Sequence, residues 1–572
     1  MTAQVLGPSI ESQIEALFSM FSAQGQAGLE LSLQRAHLAR QDHVYGRDDE
    51  VVLAALLYEV ACFIPAGEKV EESSHDALGE YYLRSLGFGG KVAGLVGTHV
   101  MTMRYLAATE KDYYDGLSEG SKKTLLSQGG IFSQEQVKQA RDDPLLGAKL
   151  ALRRWYDLAE VPNIGVQPLS DYKDIAYRCL SVVICVDGFD PEYLRSGVQG
   201  GILPTMKEMV EKGFHTTAKS CMPSFTNPNN VSIITGMPPS IHGIAGNFFL
   251  DRETGKETMI TDDSLLRGST LLEQMSIRGV RVAAITAKDK LRKILAHGLK
   301  EAICFSAERA GKCTLEENGI ENVEDWIGRS APSQYSGDLS LFVLDAGIKL
   351  LEEGRSDFLY LTLSDYIQHK YAPGSKQADE FMKGIDARLK KLIALAPIVG
   401  VTGDHGMSQK SNAEGEPNIL FLEDSLGERF GTGSSRVICP ITDPFVRHHG
   451  ALGSFVRVYL KDLTRLDDVL AYCQSLPYVD IALSGKEAAE KYDMPLDREG
   501  DIVVISKPHT VIGSRKAEHD LSQVRDHPLR SHGGISEQDI PIIASKPVRD
   551  VEEAITKAWR NYDIFDLVLN WV

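Results

Sequence analysis

The chain has 572 residues, 43% hydrophobic and 24% charged, with a formal net charge of −18. That is a globular composition, which excludes disorder, collagen-like repeats and a disulfide scaffold, and the length exceeds one simple core, so more than one domain is expected. The acidic balance argues against binding duplex nucleic acid, whose phosphates need a basic surface.

Eight cysteines include no C-x-x-C pair and no zinc-ribbon spacing. The opening residues, MTAQVLGPSIESQ, lack a basic region followed by an apolar core. No apolar run approaches the ~18 residues of a membrane span. A soluble, cytoplasmic, multidomain protein is expected.

Residues 1–160 carry a helical texture. IESQIEALFSMF, DEVVLAALLYEVACFI and HDALGEYYLRSL place apolar residues three and four apart, and GSKKTLLSQGG and FSQEQVKQARDD continue the pattern, with Gly129-Gly130 as a stop. Residues 161–177 lose that period around Pro162, Gly165 and Pro168 and read as a linker. From 178 to 548 the pattern changes. LSVVICVDG, RVAAITAKD, DFLYLTLSD and APIVGVTGDHG are short apolar, β-branched runs ending in polar residues, with helical segments such as TMKEMVEKG, STLLEQMSIRG and LFVLDAGIKLLEEG among them. This alternation predicts an α/β domain with a mostly parallel sheet covered by helices on both faces. FVRVYL, DDVLAYCQSL and DIVVIS predict a small α+β insertion at about 410–530, and 549–572 reads as an amphipathic C-terminal helix. That helix is expected to pack against one of the domains; pairing with a second copy of the chain is its alternative use.

In open parallel sheets ligands bind beyond the carboxyl ends of the strands. Asp187, Asp365 and Asp404 fall at such ends. Asp365 and His369 stand four apart and can face one point from a helical turn. Asp404 and His405 lie between glycines in TGDHG, His532 lies in RSHGG, and Thr226 lies in a polar turn entering a helix, SFTNPNNVSIITG. Imidazoles and carboxylates suit zinc, and two ions about 3.5–4 Å apart can serve an in-line phosphoryl displacement. The division expected is Asp365, His369 and His532 on one Zn2+, and Asp187, Asp404, His405 and Thr226 on the other. Thr226 is then the nucleophile, placed at a helix N-terminus that favours phosphoryl oxygens.

With this ordered ligand set the sequence resembles the alkaline phosphatase superfamily and, within it, the phosphonoacetate hydrolases. PSFTNPNNVSIITGMPPSIHGIAGNFF, TAKDKLRKILAHGLK, SDYIQHKYAPG, CPITDPFVRHHGALGSF and LRSHGGISEQ carry the likeness. The resemblance implies two Zn2+, a small-molecule phosphonate as partner with no nucleic acid and no membrane, and cleavage of a C–P bond through Thr226. It also implies that Lys288 and Lys290 grip the substrate and that Asn247 contacts the phosphonate. The chemistry agrees, because expelling a carbanion requires its charge to spread into a carboxylate that lysines can stabilise. His242 and the pair His448-His449 read as loop packing or as support for the ligands. Type I sulfatases need C-x-P-x-R, and Phe225 stands in place of that arginine. The nucleotide pyrophosphatase/phosphodiesterases share the Thr and the ligand order and are the competing reading.

The N-terminal helices resemble the HD-domain oxygenases that cleave hydroxyphosphonates at a di-iron site. Leu31, Tyr58-Glu59, Cys62 and Tyr156 stand where that family carries metal ligands, Met103 where it carries a lysine, and His75 and His99 remain. A degenerate domain without cofactor is expected. The alternatives are one metal on Glu59, His75 and His99, or an anion pocket using Arg104 and Arg153.

Overall fold

The computed structural model describes residues 10–572 except 24–25, 47, 65–74, 87, 89, 160–164, 179–180, 253, 278–279, 397, 413, 444–449 and 523–526. Helices alone precede the first strand, from Ile10–Ala23 to Leu169–Arg178. At their centre lies Asp49–Leu57, in which every residue from Val51 to Leu57 is buried. A helix apolar all round must be enclosed by others, and Leu33, Val92, Leu152 and Trp155 join it in one core. Asp48 caps its start by accepting from the Val51 amide.

The expected linker is mostly helix. In Leu169–Arg178 the residues Tyr172, Ile175 and Ala176 are buried in the N-terminal core. The helical body therefore runs to about residue 178. The prolines and glycine that suggested a linker all precede this helix, where Pro168 is tolerated.

The second body is built on a seven-stranded sheet. Its strands are β1 (Ser181–Val186), β2 (Phe214–Lys219), β3 (Val282–Thr286), β4 (Ile303–Ser306), β5 (Phe358–Thr362), β6 (Ile398–Gly403) and β7 (Asp539–Ala544). Their order is β2-β7-β6-β1-β5-β3-β4. β7 runs antiparallel to both neighbours, whereas the pairs from β6 to β4 are parallel. β1 shows why the sheet is covered twice. Val182, Ile184 and Val186 enter the core on one face, and Val183 and Cys185 enter a separate core on the other.

Register places the site. Val186 lies opposite Gly403, and Cys185 and Thr286 both lie opposite Thr362. Asp187, Asp365, Asp404 and Lys288 therefore leave the carboxyl ends of four adjacent strands.

The insertion between Asp404 and His532 is a four-stranded antiparallel sheet, ordered Ser435–Ile438, Phe455–Leu460, Ile502–Ser506 and Val479–Ser484. Met222 and Phe225, just before Thr226, are built into its core.

The C-terminal segment is not the continuous helix expected from its periodicity. It breaks into Val551–Thr556, Asn561–Asp563, Ile564–Asp566 and Leu567–Trp571. At the break the chain turns, with the Trp559 amide donating to the Lys557 carbonyl. Arg560 makes an isolated bridge to Lys219 at the end of β2, and the Lys219 amide donates to the Trp559 carbonyl. It does pack on the second body, as the sequence suggested. The Phe565 ring lies 5.0 Å from Phe358 and 5.9 Å from Tyr360. No helix among the described residues is long and apolar enough to cross a membrane.

Phe565→Ala removes a fully buried ring under β5 and should cost about 3–5 kcal/mol in urea unfolding of the second body. A loss below about 1 kcal/mol would mean that the C-terminal segment is not part of this core.

Candidate metal centre

Thr226 opens the helix Thr226–Thr235 and remains partly accessible. The loop before it is tied to the His532 loop, with the Ser224 amide donating to Gly533 and the Ser224 hydroxyl to Gly534. The Phe225 ring fills the space over Gly533, which adopts φ +118, and a Cβ there would lie 2.3 Å from the ring. The H-G-G motif thus has a steric cause: His532 and Thr226 come together only if residue 533 lacks a side chain.

The residues singled out as ligands meet at this point. Thr226 Oγ1 is 3.2 Å from His405 Nε2 and 3.5 Å from Asp187 Oδ1. His405 Nε2 is 3.3 Å from Asp187 and 3.7 Å from Asp404. Asp365 Oδ2 is 2.8 Å from His369 Nε2 and 3.8 Å from His532 Nε2. The ligand atoms of Asp365, His369 and His532 lie within 4.8 Å of one another, and so do those of Asp187, Asp365 and His405. Asp365 is therefore in reach of both groups, and the two expected ligand sets adjoin. All six carboxylate and imidazole side chains are buried.

Each imidazole is held in one tautomer. Nδ1 of His369, His405 and His532 lies 2.8 Å from the carbonyls of Arg530, Gly406 and Ser224 respectively. A carbonyl only accepts, so each Nδ1 carries the proton and each Nε2 lone pair points into the cluster. That is how proteins prepare histidines for a metal.

The cluster lacks positive charge. Burial, then Asp365 and Asp404, pushes the Asp187 carboxyl well above the usual range, and burial pushes Asp404 up to about 7. Burial, then His405 and His369, holds His532 well below the usual imidazole value. Burial opposes protonation of Lys288, but Asp365, 3.7 Å away, and Asp187 outweigh it and raise its pKa. Carboxylates this deep need cations, and the oxygen and nitrogen donors fit borderline divalent metals such as zinc.

A cavity of about 170 Å³ opens beside the cluster, lined by Thr226, Asn227, Asn247, Lys288, Lys290 and Asp443 among others. The Lys290 ammonium lies 2.7 Å from Asp443. The Asn247 amide donates to the Ile441 carbonyl, which fixes its side chain in the wall. His242 is a packing residue. Its Nδ1 accepts from the Ile244 amide, its Nε2 bonds Ser232, and burial holds its pKa down to about 3. His448 and His449 lie outside the described residues.

Supporting residues were harder to find from sequence. Asn230 donates to Asp404 Oδ2 and to the Thr226 carbonyl, and accepts from Tyr360 and Thr362. Its position one turn after Thr226 was the available signal. Buried Arg530 donates to the carbonyls of Gln368 and Met407, joining three ligand-bearing loops. Asp443 lies within CPITDPFVRHHGALGSF, but no role was read for it there.

In the N-terminal body, Glu59 accepts from Arg35, whose guanidinium lies over the Tyr156 ring. Arg153 pairs with Asp157 and lies 2.9 Å from His99 Nε2, and Tyr58 packs on His99. Arg104 bonds the carbonyls of Gly129 and Gly130. The His75 side chain lies outside the described residues. Guanidinium groups thus engage Glu59 and His99, and Arg104 closes a turn.

A parallel sheet with this cluster at its carboxyl edge defines a metal-dependent hydrolase of the alkaline phosphatase type. The chain belongs to the type I phosphodiesterase / nucleotide pyrophosphatase family, whose profile matches residues 181–534. It is similar to the phosphonoacetate hydrolase of Sinorhizobium meliloti 1021. Structures of that enzyme with phosphonoformate and with phosphonoacetate superpose with a TM-score of 0.66, at 43% and 42% identity, covering 69% of this chain and 96% of that one. The N-terminal part is similar to the hydroxymethylphosphonate dioxygenase of Gimesia maris, 29% identical over 181 residues, which span 29% of this chain and 88% of that protein.

Gly533→Ala should push Phe225 off its seat and misplace Thr226 against His532. The expected outcome is a fall in kcat of about 100-fold in the metal-loaded protein, since misplacements near 1 Å cost that much. An unchanged kcat would show that the contact does not position Thr226.

Proposed function

We propose that the second body hydrolyses phosphonoacetate to acetate and phosphate. Asp365, His369 and His532 would hold one Zn2+, and Asp187, Asp404, His405 and Thr226 another. The observation that carries the substrate choice is the pair Lys288 and Lys290 in the wall of the same small cavity as Thr226. The likeness to an enzyme solved with phosphonoacetate supports it.

Bound zinc would supply Lewis acidity at the phosphoryl oxygens and favour the ionised threonine hydroxyl. Thr226 Oγ1 attacks phosphorus in line and forms the Oγ–P bond as the C–P bond breaks. The C–P electron pair moves onto the methylene carbon and into the carboxylate as an enolate, beside Lys288 and Lys290, and protonation gives acetate. Water then cleaves the Oγ–P bond, releasing phosphate and restoring the hydroxyl. Asn247 holds the phosphonate end, and Asn230 keeps Asp404 and the Thr226 turn in register.

The test is phosphate release from phosphonoacetate beside turnover of a nitrophenyl nucleotide diester. Phosphonoacetate turnover should be abolished by a chelator, restored by zinc, and reduced at least ~10³-fold by Thr226→Ala. Turnover of the diester alone would overturn the substrate and return the protein to the nucleotide phosphodiesterase reading.

We infer that the N-terminal body is a degenerate relative of the phosphonate dioxygenases and holds no metal. The support is the engagement of Glu59 by Arg35 and of His99 by Arg153. Glu59→Gln should therefore lower stability by about 1–3 kcal/mol while leaving metal content and phosphonoacetate turnover unchanged. Iron bound by the wild-type protein and lost in this variant would overturn the inference.

A further inference from the structure

An anionic side chain in the wall of an anion-binding cavity needs a reason. Asp443 lines the cavity beside Lys290, with only 9% of its side chain exposed against 12% for the lysine. At 2.7 Å the carboxylate takes one of the ammonium's three N–H groups and leaves the others for a ligand. It also offsets one of the two charges that Lys288 and Lys290 bring to this wall. Asp289, which also borders the cavity, is balanced by Arg292 at 2.8 Å. Lys293 and Arg309 line the exposed rim, where solvent and salt mute them, while half-buried Glu308 accepts from the Asp289 amide and adds to the negative field at Lys288.

Among the described residues, Asp443 is thus a carboxylate fixed against Lys290 in the wall that Lys288 and Lys290 share, and it lowers the positive charge these lysines present to the substrate's tail. We propose that Asp443 is a specificity residue that matches the cavity to a phosphonate whose tail carries a single negative charge. This rests on the reading that Lys288 and Lys290 receive the tail. A monocarboxylate brings a single negative charge to the two ammonium groups, one of which Asp443 already engages. A dianionic tail leaves excess negative charge against Asp443, and a neutral tail leaves the surplus ammonium desolvated, so both are disfavoured.

The experiment is calorimetric titration of the zinc-loaded protein with three phosphonates, zinc content being measured after each run. Methylphosphonate has a neutral tail, phosphonoformate a monoanionic one and methylenediphosphonate a dianionic one. The wild type should bind phosphonoformate tightest. In Asp443→Asn, nearly isosteric and still able to accept from Lys290, the affinity ratio of methylenediphosphonate to phosphonoformate should rise about tenfold, while methylphosphonate changes less than about twofold. An unchanged ratio, or parallel weakening of all three ligands, would overturn the proposal and leave Asp443 as a prop for Lys290. Should that variant fail to fold, Lys290→Gln serves instead: it should abolish the advantage of phosphonoformate over methylphosphonate, and a retained advantage would overturn the proposal. These outcomes are read from binding alone. Absence of phosphonoacetate turnover would sink the proposed reaction without deciding the role of Asp443.

Discussion

The second body is organised around the mutual repulsion of three carboxylates that the sheet buries together. Parallel register carries Asp187, Asp365 and Asp404 to adjacent strand ends, and burial pushes the Asp187 and Asp404 carboxyls up. One partly exposed lysine, Lys288, does not balance them, and the donor set fits divalent cations. The three imidazoles fit the same requirement, because their Nδ1 hydrogen bonds to main-chain carbonyls turn Nε2 toward the cluster.

Much of the surrounding structure holds that arrangement in place. Arg530 gathers the Gln368 and Met407 carbonyls and, through its own carbonyl, His369. Asn561 reaches in from the C-terminal segment to bond Asn229 and the Asp404 carbonyl, which explains why that segment turns where a continuous helix would have carried the side chain away. The inserted sheet contributes Ile441 and Asp443 to the cavity wall and packs its core on Phe225. The insertion is therefore part of the site's architecture. Beneath the His532 loop, the fully buried pair Lys410 and Glu537 ties the insertion's first residues to the turn after H-G-G.

The two bodies treat their buried polar groups differently. In the second, acidic and imidazole groups converge with too little positive charge. In the first, cations meet several of the partly buried acidic groups, as Arg35 does Glu59 and Lys91 does Asp48 and Glu50, and Arg153 lies against His99. Both bodies nonetheless have phosphonate-related enzymes among their likenesses, a hydrolase for one and a dioxygenase for the other.

The sequence by itself determined the α/β class, the helical N-terminal half and the identity of the clustered residues. Strand ends, helix period and the H-G-G and D-H-G turns are local patterns, and the chemistry of Asp, His and Thr travels with the residue type. It misjudged the linker because Pro162, Gly165 and Pro168 hid the period of Tyr172, Ile175 and Ala176. It misjudged the C-terminus because periodicity cannot register the bridge that holds Arg560 to Lys219 at the end of β2. Only the tertiary structure decided that Asp365 reaches both groups, that Gly533 yields its space to Phe225, and that Asp443 stands against Lys290. The Asp443–Lys290 pair spans 153 positions of the chain and the Gly533–Phe225 contact 308. Such distances are set by sheet register and packing, which no short window of sequence encodes.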